Sequence, residues 1–417
     1  MKSSRHVAAE IVLKIIRNNA FSNLAIATSL DTSTLADADK SLCFYIVQVA
    51  AERAKSIDFV ISTLVKTKPE VTLKALLYVG IAQILFMDKI PQSAAVDETV
   101  KAAKIFADDR RAGFINGVLR NVCRLKDELI QQINAADDSI KYSLDYNMAL
   151  MIKAQYPDKY NQIFESFFVK MPLFLRVNTL KTDTVSLAKK LENDMTILEY
   201  NANTIIIRTG QYDILQQIDD GEFFVQGTSS QYAVELLGAV ENDFVIDVCA
   251  CPGGKSLGAA INMKNKGKVL ALDLHENKFS LIKKSASLLG ISIIETQKND
   301  SRQTIEEYTG KADKVICDVP CSGLGVIASK PEIKYKDVSD LSPLIKTQYD
   351  ILCASSRYVK DGGTLVYSTC TINKNENEAQ TERFLRDHEN FELVSQKQFL
   401  PCDGEYDGFF AAKFIKK

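Results

Sequence analysis

The chain of 417 residues is 46% hydrophobic and 25% charged, with a formal net charge of −2, ample for burying sizeable cores in two or three domains. That balance excludes a polycation, so any grip on nucleic acid has to come from local patches. No apolar run reaches the roughly 18 residues of a membrane span, and the N-terminal MKSSRHVAAEIVLKIIRNN lacks the apolar block and cleavage site of a secretory signal, so a cytoplasmic protein without a membrane partner is expected.

Residues 1–130 carry a helical period throughout. In RHVAAEIVLKIIRN the apolar Val7, Ala8, Ile11, Val12, Ile15 and Ile16 form one stripe. The pattern returns through 38–66, 74–87, 93–106 and 111–130. KIPQS separates two of these runs: Pro91 ends one helix and Ser93 is the expected N-cap of the next. Helical pieces continue around YNMALMIKAQY and YNQIFESFFVK. From residue 172 the period shortens, and LFLRVNT, TIIIRTG and GEFFVQG read as strands with VSLAKKLEN as a helix between the first two. After about residue 240 the apolar runs FVIDVC (244–249), KVLALDL (268–274), SIIETQ (292–297), KVICDV (314–319) and GTLVYST (363–369) alternate with helical stretches. Such alternation predicts an α/β architecture, a doubly wound, mostly parallel sheet with its ligand site at the carboxyl ends of the strands. The expected division is a helical domain over 1–135, a connector with a small α/β subdomain over 136–239, and the sheet over 240–417.

The first of these five strands runs through DVCACPGGKS (247–256) into a helix, where Gly253 and Gly254 let a ligand approach the backbone at a helix N-terminus. GKS and VICD (315–318) resemble Walker A and Walker B pieces, but the Walker A spacing needs glycine where Cys249 stands, and G-x-G-x-x-G is absent. Asp273 lies 20 residues after Gly253 at the end of the second strand, where a carboxylate receives ribose hydroxyls. Asp300 follows the third strand, within reach of an adenine edge, and Asp318 closes the fourth. A nucleoside site with no phosphate cradle fits S-adenosylmethionine better than NAD or ATP.

Nine cysteines, three histidines and no C-x-x-C pair point to reduced thiols and no metal site. Cys249, Cys317 and Cys353 lie in or beside apolar runs and read as packing residues. Cys321, in DVPCSG, and Cys370, in YSTCT, instead occupy loops after two strands whose ends face one crevice. Paired thiols suit methyl transfer to carbon 5 of a pyrimidine, itself a poor nucleophile. A thiolate added at carbon 6 breaks the aromaticity and makes carbon 5 enamine-like; a base then removes the carbon-5 proton so that the thiol can leave. An N6-amino methyltransferase needs no such nucleophile and shows Asx-Pro-Pro-aromatic where this chain has Asp-Val-Pro-Cys. The spacing does not choose between the two thiols.

DVCACPGGKS, DVPCSGLGVI with KPEIKY, and YSTCTINKNENE resemble motifs I, IV and VI of bacterial RNA cytosine-5 methyltransferases. RVNTLK (176–181) and VQGTSSQ (225–231) resemble that family's connector, while KIPQSAAVDETVKAAK and GFINGVLRNV resemble the NusB-like RNA-binding domain of its RsmB/Sun/Fmu branch, which acts on 16S rRNA. The resemblance extends to the terminal DGFFAAKFIK. It implies a Rossmann-like class I methyltransferase in which Cys249, Ala250, Cys251, Pro252, Gly253, Gly254 and Lys255, with Asp273, Asp300 and Asp318, hold S-adenosylmethionine. It implies further that Cys370 is the nucleophile, that Cys321 assists product release, and that Asp318 bonds the N3/N4 edge of the cytosine. Three positions depart from the family pattern: Cys251 for alanine, Gly227 for a common aspartate and Lys278 for a frequent arginine.

Single-stranded RNA would suit SKPEIKYKD (329–337), with three lysines around Tyr335, and Arg110, Arg111, Arg120 and Arg124 form a second candidate patch. The chain is thus expected to be a monomeric 16S rRNA (cytosine-C5)-methyltransferase with RNA, not DNA, as partner. The alternatives are a tRNA cytosine-5 methyltransferase or a non-catalytic RNA-binding or antitermination factor; the two thiols and the cofactor loop argue against the latter.

Overall fold

The computed structural model describes residues 3–18, 35–106, 108–192, 197–201, 203–208 and 220–417. Parts of the run 1–130 expected to be helical, and the end of TIIIRTG, lie outside the described residues. Contacts divide the chain at other points than those drawn from its periodicity. One compact unit is Met1–Phe168 with Ser329–Ser339, the other Val169–Ala328 with Asp340–Lys417.

The first unit is helical: α1 Ser4–Asn18, α2 Asp37–Glu52, α3 Ala54–Leu64, α4 Val71–Phe86, α5 Gln92–Phe106, α6 Asp109–Arg124, α7 Lys126–Ala135, α8 Asp138–Lys141, α9 Tyr146–Gln155 and α10 Tyr160–Ser166. Val7, Ile11, Val12 and Ile15 of the predicted stripe pack into a core with Leu76, Leu77, Ile81 and Leu119. Helix α4 is buried at every position from Ala75 to Leu85, as its unbroken apolar run requires. Two runs each split in two. Arg53 leaves helical geometry (φ −114°) between α2 and α3, and Leu125 does so between α6 and α7. Ser93 is not the N-cap of α5, which already begins at Gln92, directly after Pro91. Proline is at ease there because its missing N–H would be unpaired in any first turn.

The segment Ser329–Ser339 overturns a reading of the sequence. It carries a short 3-10 turn, Pro331–Tyr335, that plugs into the helical unit. Lys334 is 0% exposed. Its Nζ donates to the carbonyls of Glu52 (3.2 Å) and Tyr142 (3.4 Å) and lies 3.4 Å from the centre of the Phe168 ring. Burial pushes this ammonium well below the ordinary lysine pKa; Glu52 opposes the shift and Arg53 adds to it. The Tyr335 hydroxyl donates to the Ala51 carbonyl (2.5 Å), accepts from the Ala54 amide (3.1 Å) and lies 2.9 Å from Ser143 Oγ. A lysine and a tyrosine expected on RNA are therefore structural. Of the three lysines in that run, Lys330 and Lys336 are exposed. In the arginine patch, Arg111 pairs with Glu70 (3.1 Å) while Arg120 and Arg124 bond asparagines of their own helix.

The second unit opens with a four-stranded antiparallel sheet, β1 Leu173–Val177, β2 Ile197–Tyr200, β3 Thr204–Ile207 and β4 Phe223–Val225, ordered β2-β3-β1-β4. Helix α11, Thr184–Leu191, packs on it through Leu187, Ala188 and Leu191. Helix α12, Thr228–Leu237, follows. Its N-cap is Gly227, one of the departures from the family pattern, and the helix has no side-chain cap there. Then come β5 Phe244–Asp247, α13 Gly254–Asn262, β6 Lys268–Asp273, α14 Phe279–Leu289, β7 Ile294–Lys298, β8 Ala312–Asp318, α15 Ser342–Ser356, β9 Val359–Thr369, α16 Glu378–Asp387, β10 Phe391–Phe399 and β11 Phe409–Lys416. The seven strands are ordered β10-β11-β9-β8-β5-β6-β7. Strands β5 to β9 are parallel, and β11 runs antiparallel to both β9 and β10. The five predicted parallel strands are present; β10 and β11 were not assigned from the sequence.

Because Tyr335 bridges α2, α3 and Ser143, Tyr335→Phe should destabilise the helical unit by about 1–3 kcal/mol, the cost of leaving buried partners unpaired. Urea denaturation followed by far-UV circular dichroism measures it. Cofactor affinity should not change.

Candidate functional site

Strand order reverses between β5 and β8: from β5 the chain fills positions outward through β6 and β7, then returns to the other side of β5. Crevices at the carboxyl ends of strands open at such a point. The loop after β5 carries Cys249 to Gly253, and α13 begins at Gly254. Gly253 has φ +113°, a conformation L-residues avoid, and a Cβ there would lie 3.1 Å from Ile282. The loop is held to the sheet by Ala250 N–H donating to the Leu272 carbonyl (2.8 Å) and Cys251 N–H to Asp273 Oδ2 (3.1 Å). Gln226 Nε2 donates to the Gly254 carbonyl (2.9 Å), and Gln226 Oε1 accepts from the buried Arg176 (3.2 Å). RVNTLK and VQGTSSQ thus support the loop rather than line a separate site.

Asp318, at the end of β8, is the electrostatic hub. Its Oδ2 accepts from Lys255 Nζ at 2.6 Å and its Oδ1 from Ser368 Oγ at 2.7 Å. Burial opposes a charge on Lys255, but Asp318, its hydrogen bond and Asp247 outweigh that and raise the pKa above the ordinary lysine value. Asp247, 1% exposed at the end of β5, accepts from Ser256 Oγ (2.6 Å) through Oδ2. Its Oδ1 makes no hydrogen bond of ordinary geometry among the described residues. Burial, with a further push from Asp318, raises its pKa to about 7 although the Ser256 bond pulls the other way. Asp273 Oδ1 accepts from His275 N–H (2.9 Å), leaving the carboxylate half-buried beside the loop. Asp300 is clamped by its neighbour Arg302, whose Nη2 approaches Oδ2 to 2.6 Å, and this pairing lowers its pKa. Asp300 therefore faces the Arg302 guanidinium.

The thiols meet. Cys321 Sγ and Cys370 Sγ are 2.9 Å apart, and neither is in a disulfide. Cys321 leaves β8 three residues after Asp318, and Cys370 directly follows β9. The contact with Cys370 and burial together raise the Cys321 pKa well above that of an ordinary thiol. Cys317 is fully buried in the sheet core, and Cys249 and Cys353 pack against that core, as expected of them. Among the described residues no group of three or more His, Cys, Asp or Glu is placed to hold a metal ion, and no helix is long and apolar enough to cross a membrane.

The donor set suits a cationic nucleoside ligand. The glycine cradle gives a ligand close access to the backbone, and the carboxylates beside it, buried on Asp247 and half-buried on Asp273, favour positive charge over phosphate. A separate depression of about 840 Å³, lined by Arg302, Glu306, Cys353, Arg357 and His388 among others, includes neither Cys321 nor Cys370. Sequence reasoning missed Asp247, Ser256, Ser368 and a buried polar cluster around Glu376. Asp247 was detectable as the aspartate ending the first strand, in register with the three that were chosen.

A family model described as "16S rRNA methyltransferase RsmB/F" matches residues 234–415, and one described as "NusB family" matches residues 2–124. The chain is 32% identical to the "Probable ribosomal RNA small subunit methyltransferase B" of Bacillus subtilis, covering 100% of this chain and 99% of that protein. It is 30% identical to the "Ribosomal RNA small subunit methyltransferase B" of Proteus mirabilis, covering 100% of both. In fold it resembles the crystal structure of PH0851 (TM-score 0.83, 24% identity, 99% of each chain). It also resembles that of NSun6 from Pyrococcus horikoshii with SFG (TM-score 0.58, 20% identity, 65% of this chain and 98% of that one). Its whole length being accounted for in this way, the chain belongs to the ribosomal RNA small subunit methyltransferase B family and is an S-adenosylmethionine-dependent RNA methyltransferase with a NusB-family helical region at its N-terminal end.

Proposed function

We propose that the enzyme methylates carbon 5 of a cytosine in 16S rRNA, working as a cytoplasmic monomer on RNA and not on DNA, with Cys370 as nucleophile and Cys321 as the group that allows release. The observation that carries this reading is the 2.9 Å approach of two thiols, neither in a disulfide, at the ends of adjacent parallel strands, beside the glycine loop. Transfer to an exocyclic amine has no use for such a pair.

Cys249 to Lys255 and Asp273 would hold the cofactor, with Asp300 joining once released from Arg302. S-adenosylmethionine supplies an electrophilic methyl group on a sulfonium. Asp318, hydrogen-bonded by Lys255 and Ser368, retains lone pairs for the cytosine N3/N4 edge. Cys370 adds to carbon 6, forming a C–S bond and moving electron density to carbon 5, which then takes the methyl group. Cys321, once ionised, removes the carbon-5 proton; the carbon-6–sulfur bond breaks, and Cys370 leaves as the thiolate. A thiol with a raised pKa is a strong base after it has lost its proton, which fits Cys321 for the removal step.

The two alanine variants should fail differently. Cys370→Ala should bind cofactor and RNA but form neither product nor adduct. Cys321→Ala should accumulate a cofactor-dependent protein–RNA adduct that survives denaturing electrophoresis. An adduct in the Cys370 variant instead would exchange the roles. In the wild-type enzyme the breakdown of the adduct, followed in single turnovers, should speed up by roughly tenfold per pH unit below the pKa of Cys321, because only its anion accepts the proton. Asp273→Ala removes a ribose acceptor and a brace of the loop. It should raise the cofactor dissociation constant about tenfold or more, the loss of a charge-assisted bond worth roughly 1.5–3 kcal/mol, as read by calorimetry. Bisulfite mapping after incubation with ribosomal RNA identifies the modified base.

A further inference from the structure

Glu376 is fully buried, yet among the described residues no cation pairs with it. Its carboxylate accepts four hydrogen bonds instead: Oε2 from the Ser322 amide (2.8 Å) and Gln348 Nε2 (2.8 Å), Oε1 from Ser322 Oγ (2.5 Å) and Asn373 Nδ2 (2.9 Å). The same Gln348 Nε2 donates to the Pro320 carbonyl at 3.0 Å. Both peptide units that flank Cys321 are therefore fixed, one by Glu376 and one by Gln348. On the other loop, Asn373 is three residues past Cys370, and Ser322 Oγ also lies 2.7 Å from Thr371 Oγ1, next to Cys370. The Gly325 amide donates to the Cys370 carbonyl (3.0 Å), so the loops share a backbone bond as well.

We propose that Glu376 is the positioning residue of the thiol pair: its carboxylate spans the loops after β8 and β9 and sets the distance between Cys321 and Cys370. The proposal rests on the reading that these two thiols are the reacting groups. A carboxylate does this better than a neutral side chain because four donors converge on it, and charge-assisted bonds are roughly twice as strong as neutral ones. The cost of burying its charge is offset by those four donors rather than by a counter-ion.

The test uses the full-length protein and phenylarsine oxide, which condenses with two neighbouring thiols to form two As–S bonds and release one water, with no change of oxidation state. The wild-type protein should take up one arsenical bridging Cys321 and Cys370, mapped by mass spectrometry and lost in Cys321→Ser. Glu376→Asp keeps the charge but withdraws it by one methylene, so it cannot reach both loops. Its bridging and its kcat should each fall about tenfold or more, the usual penalty for misplaced reacting groups, while the cofactor dissociation constant stays within about twofold. Glu376→Gln keeps the reach and one acceptor oxygen but sets an NH2 group against two donors, so it should recover only part of the bridging. Wild-type bridging and turnover in Glu376→Asp would overturn the proposal. So would a lower melting temperature with unchanged bridging and turnover per folded molecule, which is what a purely structural role predicts. If Glu376→Asp does not fold, Gln348→Leu, of similar volume, must show the same loss of bridging, and its retention would overturn the idea equally. Bridging that responds to Glu376 in an enzyme that leaves cytosine unmodified would sink the thiol mechanism and leave the positioning role standing.

Discussion

The parallel pairing of β8 with β9 is the constraint on which the site depends. Its register sets Asp318 opposite Ser368 and Cys317 opposite Tyr367, so both strands end at the same level and their loops leave the sheet side by side. Side chains alternate between the faces of a strand, so a slip of one residue would send Asp318 to the opposite face and take it from Ser368 and Lys255. It would also carry Cys321 out of reach of Cys370. The buried Val315, Cys317, Leu365 and Tyr367 in the adjoining core are what hold the register. The chemistry of the loops is therefore fixed by apolar packing well below them.

Above that register the electrostatics are lopsided. Asp247 and Asp318 close two adjacent strands and share one lysine, Lys255, whose ammonium lies against Asp318. Burial raises the Asp247 pKa to about 7, and Asp318 adds to that rise. An acid-rich crevice with a single internal cation resists a phosphate and favours a ligand carrying positive charge, as a sulfonium with an amino-acid ammonium does. The absent phosphate cradle in the sequence and the excess of carboxylates in the structure are two sides of one preference.

What could be read in the sequence was whatever is encoded locally. Five strands and most helices follow from periodicity, and Gly253 declared itself by the turn it has to make. The failures share a cause: partners distant in the chain. Lys334 and Tyr335 look like a wet, RNA-facing loop because charge and an aromatic ring alternate there. They are buried by carbonyls of Ala51, Glu52 and Tyr142, at separations of 284, 282 and 192 residues. Strand β10, FELVSQKQF, is a sheet edge whose burial pattern alternates weakly, so its period is faint. Glu376 sits inside a motif that was quoted, but its role depends on Ser322 and Gln348, 54 and 28 residues away.

The thiols themselves show why the surrounding polar cluster is so dense. Thiolates, not thiols, attack carbon and are oxidised. Two sulfurs within 2.9 Å therefore form a site that is both reactive and exposed to self-oxidation. The contact with Cys370 and burial raise the pKa of Cys321, which disfavours its own thiolate. The loop bonds then work against collapse from another direction. Asn377 donates to the Thr371 carbonyl (3.0 Å) and accepts from Thr369 Oγ1 (2.6 Å), gripping the chain on both sides of Cys370. Glu376 and Gln348 do the same around Cys321. Closing a disulfide requires a separation near 2 Å with a defined torsion, and backbones pinned on both sides resist moving to reach it. The same pins that bring the sulfurs to 2.9 Å thereby also hold them short of a disulfide.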